Sequence, residues 1–206
     1  MIKVITTSDG SHSLLNTELN ETYHSVHGAI QESMHVFIKN GLDHFSRPGV
    51  VKIFEVGFGT GLNALLTALS GRQVHYTAIE AFPLDEEVYQ QLNYEPKDLL
   101  MSLHRNPKLE TLSFIFNKLN ITLQSIALEP NSYDIIYFDA FAPSKQPEMW
   151  ELPMIRKVCD ALTPGGLFVT YCAKGQLKRD LKSLGMEVET LPGPPGKKEM
   201  VRGTKR

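Results

Sequence analysis

The chain has 206 residues, a length typical of one domain. Hydrophobic residues make up 42% and charged residues 21%, which is ordinary for a globular protein and excludes a disordered or fibrous chain. The 21 basic and 23 acidic residues give a formal net charge of −2, so a polyanionic partner would have to be held by a local positive patch.

The first fifty residues differ in pattern from the rest of the chain. Two short segments, Lys3–Thr7 and Ser13–Leu15, flank a Ser-Asp-Gly-Ser turn signal and predict a small hairpin. Apolar residues at helical spacing, followed by Asn-Gly, predict a helix over Gly28–Asn40. We expect residues 1–50 to form an N-terminal extension that packs on a domain of residues 51–206.

From residue 51 onward, strand and helix patterns alternate. This alternation, with strands that are apolar on both faces, predicts a doubly wound α/β sheet of the Rossmann-like class. The predicted strands are Val51–Val56, Val74–Glu80, Leu112–Phe116, Tyr133–Asp139, Leu167–Cys172 and Met186–Thr190. The predicted helices are Leu62–Leu69, Leu84–Leu92, Ile121–Ala127, Pro147–Leu162 and Gly175–Leu184. The last segment, Pro192–Arg206, is interpreted as turns followed by a basic tail.

The number of cysteines and the length of the apolar runs indicate where in the cell the protein is located. The two cysteines, Cys159 and Cys172, are too few for a disulfide framework and lack the spacing of metal ligands. The first residues do not have the layout of a signal peptide, and no apolar run approaches the ~18 residues that span a bilayer. We therefore expect a cytoplasmic protein with no membrane contact and no metal.

A glycine-rich segment, EVGFGTGLN over residues 55–63, follows the first predicted strand of the sheet and opens a helix. Its G-x-G-x-G spacing allows a tight turn and lets a ligand lie against bare backbone. Glu80 ends the next strand, where an acidic side chain can bind both hydroxyls of a ribose. The pattern favours S-adenosylmethionine over a dinucleotide, because Leu62 stands where the dinucleotide fingerprint needs glycine. The alternative is that Glu80 is only a solvated strand end.

Two further residues are candidates for contact with an adenine ring. Phe82 lies two residues beyond Glu80 and offers a flat surface, unless it belongs to the core. Asn120 follows the third strand and can accept a hydrogen bond from the adenine amine. The alternative for Asn120 is a cap of the helix predicted over Ile121–Ala127.

The segment after the fourth predicted strand is the most informative part of the sequence. Asp139 ends that strand and is expected to point into the crevice where ligands bind in open α/β sheets. Phe141 and Trp150 offer surfaces on which a base can stack, and Lys145 adds a charge. The alternatives are a helix cap for Asp139, a solvated charge for Lys145 and core packing for Trp150.

These residues resemble the tRNA wobble-uridine methyltransferase family, which comprises MnmD and the methyltransferase domain of MnmC. The resemblance covers nearly the whole chain, and the D-x-F-A-P-x-K-x-P-x-x-W run with the terminal G-K-K-E-M is specific to this family. Its anchors are Tyr23–Ser25, Gly28-Ala29 with Glu32 and His35–Phe37, Gly57–Asn63, Glu80–Leu84, Asp139–Trp150, Pro164–Gly166 and Gly196–Met200.

The resemblance implies transfer of a methyl group from S-adenosylmethionine to the amine of 5-aminomethyl-(2-thio)uridine at the wobble position of tRNA. It also implies cofactor binding by the glycine segment and Glu80, a catalytic role for Asp139, and Tyr23 as a lid over the methyl group. Tyr23 as an ordinary buried tyrosine is the alternative. Where the family often has Asp, this chain has Asn120. MnmC also carries a flavin-dependent oxidase domain, for which this chain has no residues left.

The expected site therefore has three groups of residues. The catalytic group is Asp139, which can attract an ammonium and accept its proton. The cofactor group is Tyr23, Glu55, Gly57, Gly59, Gly61, Asn63, Glu80, Phe82, Asn120 and Asp139. The substrate group, which would contact the anticodon stem-loop, is Phe141, Lys145, Lys197, Lys198 and Arg202. The last three belong to a basic tail that also includes Lys205 and Arg206, and a merely solubilising tail is the alternative.

Three other functions are compatible with parts of the sequence. A methyltransferase of a small molecule or protein would share the glycine segment and Glu80 but would not need the motif after Asp139. A nicotinamide-dependent oxidoreductase fits the fold but not Leu62. A non-catalytic RNA-binding module would not need Asp139 or the glycine segment.

Overall fold

The computed structural model describes residues 1–206 and contains two β-sheets. The smaller sheet is antiparallel and consists of β1 (Ile2–Thr6), β2 (His12–Asn16) and β3 (Glu21–Thr22). The predicted hairpin is formed by β1 and β2. The predicted helix follows as α1 (Ala29–Ser33), which continues directly into a π-helix (Met34–Leu42).

The larger sheet has eight strands. In chain order they are β4 (Val51–Val56), β5 (Val74–Ile79), β6 (Lys108–Glu110), β7 (Phe114–Leu119), β8 (Tyr133–Phe138), β9 (Leu162–Thr170), β10 (Met186–Pro192) and β11 (Glu199–Lys205). Their order in the sheet is β10-β11-β9-β8-β4-β5-β7-β6. The five strands from β9 to β7 are parallel, and β6, β11 and β10 are antiparallel to their neighbours. This confirms the α/β class and places the reversal of strand order between β4 and β8, where such sheets bind ligands.

Helices cover both faces of the large sheet. They are α2 (Leu62–Ala68), α3 (Glu86–Tyr89), α4 (Lys97–Arg105), a 3₁₀-helix (Pro147–Trp150), α5 (Leu152–Ala161) and α6 (Gly175–Ser183). Successive side chains of a strand point to opposite faces, so Ile53 and Phe54 of β4 belong to two different core clusters. The N-terminal helix, α2 and α4 contribute to the first cluster, and α5 and α6 to the second. None of the helices has both the length and the apolar character needed to cross a membrane.

The structure corrects the prediction for the end of the chain. The expected basic tail is the strand β11, which pairs with both β9 and β10 and buries Met200 and Val201. Because β11 runs antiparallel to β9, its first residue lies at the edge where the parallel strands end. Lys197 and Lys198 are therefore at that edge, whereas Lys205 lies about 20 Å away at the opposite edge.

Other elements also differ from the prediction, including β7 and β9, which were predicted as Leu112–Phe116 and Leu167–Cys172. Residues 121–127, predicted as a helix, form turns and irregular backbone. The helix α4 and the short strand β6 were not predicted. The predicted helix over Pro147–Leu162 is interrupted at Glu151, which separates the 3₁₀-helix from α5.

Candidate active site

A cavity of about 830 Å³ lies at the carboxyl ends of β4, β5 and β8, a size typical of cofactor and substrate sites. One wall comes from residues of the N-terminal segment, and the other comes from the ends of the large sheet. The predicted site residues that line it are Tyr23, Gly57, Gly59, Glu80, Phe82, Asp139, Phe141, Lys145 and Lys197. The fold thus brings together residues that are up to 174 positions apart in the sequence.

The glycine segment between β4 and α2 adopts backbone angles that favour glycine. Gly57 has a φ of +89°, and a Cβ atom there would lie 2.6 Å from the carbonyl oxygen of Asp139. Gly59 has a φ of +50° and borders the ring of Tyr23. A side chain at Gly57 would therefore push the ends of β4 and β8 apart, and bare backbone faces the cavity instead.

Glu80 is fixed beside the glycine segment. Its carboxylate accepts hydrogen bonds from the backbone N–H of Gly59 at 2.8 Å and of Phe82 at 2.9 Å. Burial raises the pKa of Glu80, although these hydrogen bonds and the charge of Lys118 act in the opposite direction. Each carboxylate oxygen keeps a lone pair for another donor, so the group can accept hydrogen bonds from ribose hydroxyls.

Three aromatic residues border the same region. The side chain of Phe82 is 77% exposed at the cavity, which rules out the alternative that it belongs to the core. Tyr23 packs edge-to-face on Phe141, with ring centroids 5.0 Å apart, and both rings line the cavity. Burial and, secondarily, the charge of Glu80 raise the pKa of Tyr23 to about 12, so its hydroxyl remains protonated.

Asp139 follows β8 and faces the cavity. Its Oδ2 accepts a hydrogen bond from Nδ2 of Asn63 at 2.9 Å, and the same amide donates to Oε1 of Glu55 at 3.0 Å. Burial, reinforced by the charge of Glu32, raises the pKa of Asp139 to about 7, while Asn63 and Lys197 partly oppose this rise. No helix begins within seven residues of Asp139, so it does not cap one. A carboxylate with this pKa can accept a proton near neutral pH.

Several predicted site residues do not line the cavity. Glu55 is fully buried behind the glycine segment, where burial and the charge of Asp139 raise its pKa well above the ordinary value. Asn63 and Gly61 likewise lie behind the cavity wall, and Asn63 acts as the link between two carboxylates. Asn120 is exposed outside the cavity, and without a helix at residues 121–127 it is not a cap either.

The residues predicted to bind the substrate also differ in their exposure. Lys198 is exposed at the edge of the sheet near the cavity. Arg202 is buried, with its guanidinium donating to Glu189 at 2.9 Å and to the carbonyl of Asn40 at 3.2 Å. The prediction that Arg202 contacts substrate is therefore corrected. Arg202 lies in the middle of β11, and its guanidinium already forms an ion pair with Glu189.

Trp150 supports the site from the core. Its indole is buried against Phe138 and donates from Nε1 to the carbonyl oxygen of Phe141 at 2.7 Å. Core packing, one of the two interpretations of Trp150, is the observed one. The hydrogen bond fixes the backbone of Phe141, a residue that lines the cavity.

The structure adds residues that the sequence did not reveal as part of the site. Two histidines hold Thr60 of the glycine segment: His24 bonds its hydroxyl at 2.6 Å, and His104 bonds its carbonyl at 3.0 Å. Burial lowers the pKa of both histidines to about 4, so both are neutral at physiological pH. Glu32 and Tyr171 also line the cavity, next to Lys197. Glu32 is an anchor of the family resemblance without an assigned role, and Tyr171 has no local sequence signal, because their proximity depends on the fold.

The sequence model of a family of S-adenosyl-L-methionine-dependent methyltransferases matches residues 80–206. The chain belongs to this family. The predicted cofactor, S-adenosylmethionine, is thereby confirmed, and the nicotinamide-dependent alternative is excluded. The matched region includes Glu80 and Asp139 of the cavity.

Relatives of this methyltransferase include bifunctional proteins named for tRNA 5-methylaminomethyl-2-thiouridine biosynthesis, MnmC. The protein from Pseudoalteromonas atlantica is 31% identical over 91% of this chain, and that from Cupriavidus necator is 31% identical over 88%. In each case the match covers 31% of the relative, so the chain spans about a third of the length of these curated relatives.

Solved structures support the same fold. MNMC2 from Aquifex aeolicus has a TM-score of 0.85 and 25% identity, over 98% of this chain and 70% of that one. Spermidine synthase from Thermotoga maritima has a TM-score of 0.56 with 15% identity, over 98% of this chain and 72% of that one, and therefore shows the fold alone.

Proposed function

We propose that this methyltransferase transfers a methyl group from S-adenosylmethionine to the amine of 5-aminomethyl-(2-thio)uridine at the wobble position of tRNA, giving the 5-methylaminomethyl form. The observation that carries the proposal is the placement of the Asp139 carboxylate, with a pKa near neutral, in the same cavity as the glycine segment and Glu80. The names of the MnmC relatives support the substrate, since their printed product carries a methylated amine on a tRNA uridine.

The cavity residues fit the cofactor. A side chain on Gly57 would collide with backbone, so the segment leaves a cradle of bare peptide groups, and Glu80 has acceptor capacity for the ribose. In the proposed assignment, Gly57, Gly59 and Glu80 hold the cofactor, with Tyr23 and Phe82 at its aromatic contacts. When bound, S-adenosylmethionine supplies an electrophilic methyl group.

The chain's own residues then deal with the protonation of the acceptor. A primary amine of this kind has a pKa of roughly 9 to 10, by analogy with lysine, and is mostly a non-nucleophilic ammonium at pH 7. The Asp139 carboxylate attracts the ammonium and accepts one of its protons, which frees the nitrogen lone pair for the methyl group. Asn63 keeps the carboxylate oriented through the 2.9 Å hydrogen bond. Alignment within the cavity supplies much of the remaining rate.

In this proposal the tRNA anticodon stem-loop approaches the open edge of the sheet. Lys145 at the cavity and the exposed Lys198 provide local positive charge for phosphates. The ring of Phe141, at the cavity wall, offers a surface on which the wobble base can stack. Because tRNA is the substrate, the proposal includes a cytoplasmic location.

Mass spectrometry of wobble nucleosides tests the function. The protein is incubated with S-adenosylmethionine and tRNA that bears 5-aminomethyluridine, and the nucleosides are then analysed. We expect a gain of one methyl group on the wobble amine. Asp139→Asn protein and tRNA that lacks the aminomethyl group are the controls. Methyl transfer to a small molecule or a protein, with the tRNA unchanged, would support the alternative methyltransferase function instead.

A further inference from the structure

The ammonium group of Lys197 has an unusual position for a surface-loop residue. It lies 2.5 Å from Oε2 of Glu32 and 3.8 Å from the centroid of the Tyr171 ring. A carboxylate on one side and an aromatic face on another together form a favourable environment for a primary ammonium. Lys197 belongs to the loop between β10 and β11, whereas Glu32 belongs to α1, so the two ends of the chain meet in the cavity wall.

The two groups that hold this ammonium are themselves fixed. Glu32 is buried, and its Oε1 accepts a hydrogen bond from the backbone N–H of Ser25 at 3.0 Å. Tyr171 donates its hydroxyl proton to the carbonyl oxygen of Ala140 at 2.8 Å, directly beside Asp139 in the chain. A cation partner stabilises the charged form of a buried carboxylate such as Glu32. By contrast, the partner is a long, flexible side chain whose exposed fraction is 32%.

We propose that Glu32 and Tyr171 form, beside Asp139, the subsite for the ammonium of the substrate, and that Lys197 fills this subsite in the free protein until the substrate replaces it. The inference rests on the proposed function, in which the acceptor is a primary amine. The end of a lysine side chain and the aminomethyl group of that acceptor are the same chemical group, a methylene carrying an ammonium. A subsite that accommodates one therefore accommodates the other.

This arrangement makes Glu32 a residue that determines specificity. A wobble uridine with a cationic substituent replaces Lys197 and leaves Glu32 paired. A neutral substituent, such as a hydroxymethyl group, offers Glu32 no charge and gains nothing by displacing Lys197. The cavity therefore selects the aminomethyl form by its charge before Asp139 removes a proton.

A binding measurement with matched ligands tests the inference. Two anticodon stem-loops are compared that differ only in the wobble uridine, 5-aminomethyl in one and 5-hydroxymethyl in the other. At pH 7 we expect the wild type to prefer the aminomethyl form by about 10- to 100-fold, because a charge-assisted hydrogen bond distinguishes the two. We expect the preference of Glu32→Gln for the aminomethyl stem-loop to be about tenfold smaller than that of the wild type. The remaining preference should come from Asp139. In the wild type, the preference should also fall as the pH rises through the pKa of the amine.

The other half of the ion pair provides the decisive control. If Lys197 only occupies the subsite, Lys197→Met should keep or increase the preference for the aminomethyl stem-loop, opposite to the effect of Glu32→Gln. Equal losses in the two variants would indicate a structural ion pair and would overturn the inference. If either single variant fails to fold in thermal unfolding, the double variant Glu32→Gln/Lys197→Met replaces it. That neutral pair should lose the same tenfold part of the preference as Glu32→Gln and keep the part that comes from Asp139, and a double variant with the full wild-type preference would refute the subsite.

Failure of the inference and failure of the proposed function are distinguishable. A wild-type protein that does not methylate 5-aminomethyluridine in tRNA contradicts the proposed function. A wild-type protein that methylates it, together with a Glu32→Gln variant that discriminates as well as the wild type, contradicts the ammonium subsite alone.

Discussion

Replacement of Asp139 by Asn should separate catalysis from binding. The amide keeps the size of the carboxylate, and its oxygen can still accept the hydrogen bond from Asn63. The variant should therefore bind both ligands but lose about 10²- to 10⁴-fold in turnover at pH 7, the range expected for a general base. The pH profile is the sharper assay. With a pKa of about 7 for Asp139, wild-type kcat/KM should rise between pH 6 and pH 8. In the variant this rise should be absent, and activity should increase only as the amine itself deprotonates.

The same substitution should stabilise the protein at alkaline pH. The pKa of Asp139 lies near 7 in the folded protein and near 3.8 in the unfolded chain, so between these values the folded state binds more protons. The free energy of unfolding of the wild type therefore falls as the pH rises from about 4 to 7. The full difference corresponds to about 4 kcal/mol, and partial access of water to Asp139 reduces it to about 1 to 3 kcal/mol.

Denaturation at two pH values measures this effect. Asp139→Asn should be more stable than the wild type by that amount at pH 8 and equally stable at pH 4. An Asn variant with wild-type turnover at pH 7 would remove Asp139 from catalysis. If the variant is not more stable than the wild type at pH 8, the fold does not raise the pKa of Asp139.

Three further substitutions have distinct expected results. Gly59→Asp should abolish binding of S-adenosylmethionine in calorimetry while the protein still folds, since its φ of +50° is tolerated by Asp; unchanged affinity would contradict the cradle. Lys198→Glu should weaken tRNA binding and reduce the slope of log K against log salt by about one, whereas Arg206→Glu at the opposite edge should not. Equal slopes in both variants would support the alternative that Lys198 only contributes to solubility. Trp150→Phe should lower stability by about 1 kcal/mol in denaturant unfolding through loss of the hydrogen bond to Phe141, and stability unchanged from the wild type would show that this bond contributes nothing.

The central strands could be predicted from the sequence because their own residue types favour strand structure. β4, β5 and β8 begin at the predicted residues and end at or one residue before the predicted ends, since each is rich in aromatic, aliphatic and β-branched residues. β11 was not recognised because charged residues stand at both of its ends, and its burial depends on β9 and β10. Residues 121–127 have helical spacing of apolar residues, but the fold uses this segment as cavity wall, where side chains from 121 to 124 line the site.

Those site residues that stand at the ends of strands could be predicted from the sequence. Gly57, Glu80 and Asp139 are marked by their place at strand ends, and the fold brings them to one cavity. Glu32 belongs to the family resemblance, but neither it nor Tyr171 has a position that indicates a site role, because a single acidic residue in a helix and a tyrosine after a strand are both common. Their proximity arises only when the loop between β10 and β11 reaches the N-terminal helix.

Thr60 connects the N-terminal segment to the proposed cofactor cradle. His24, from the segment after β3, and His104, from α4, hold this one residue of the glycine segment from two sides. Docking of the N-terminal segment and formation of the cradle are therefore thermodynamically linked, so each favours the other by the same free energy. Cofactor binding should slow hydrogen exchange at the amides of β2 and β3, although the small sheet pairs with no strand of the large one.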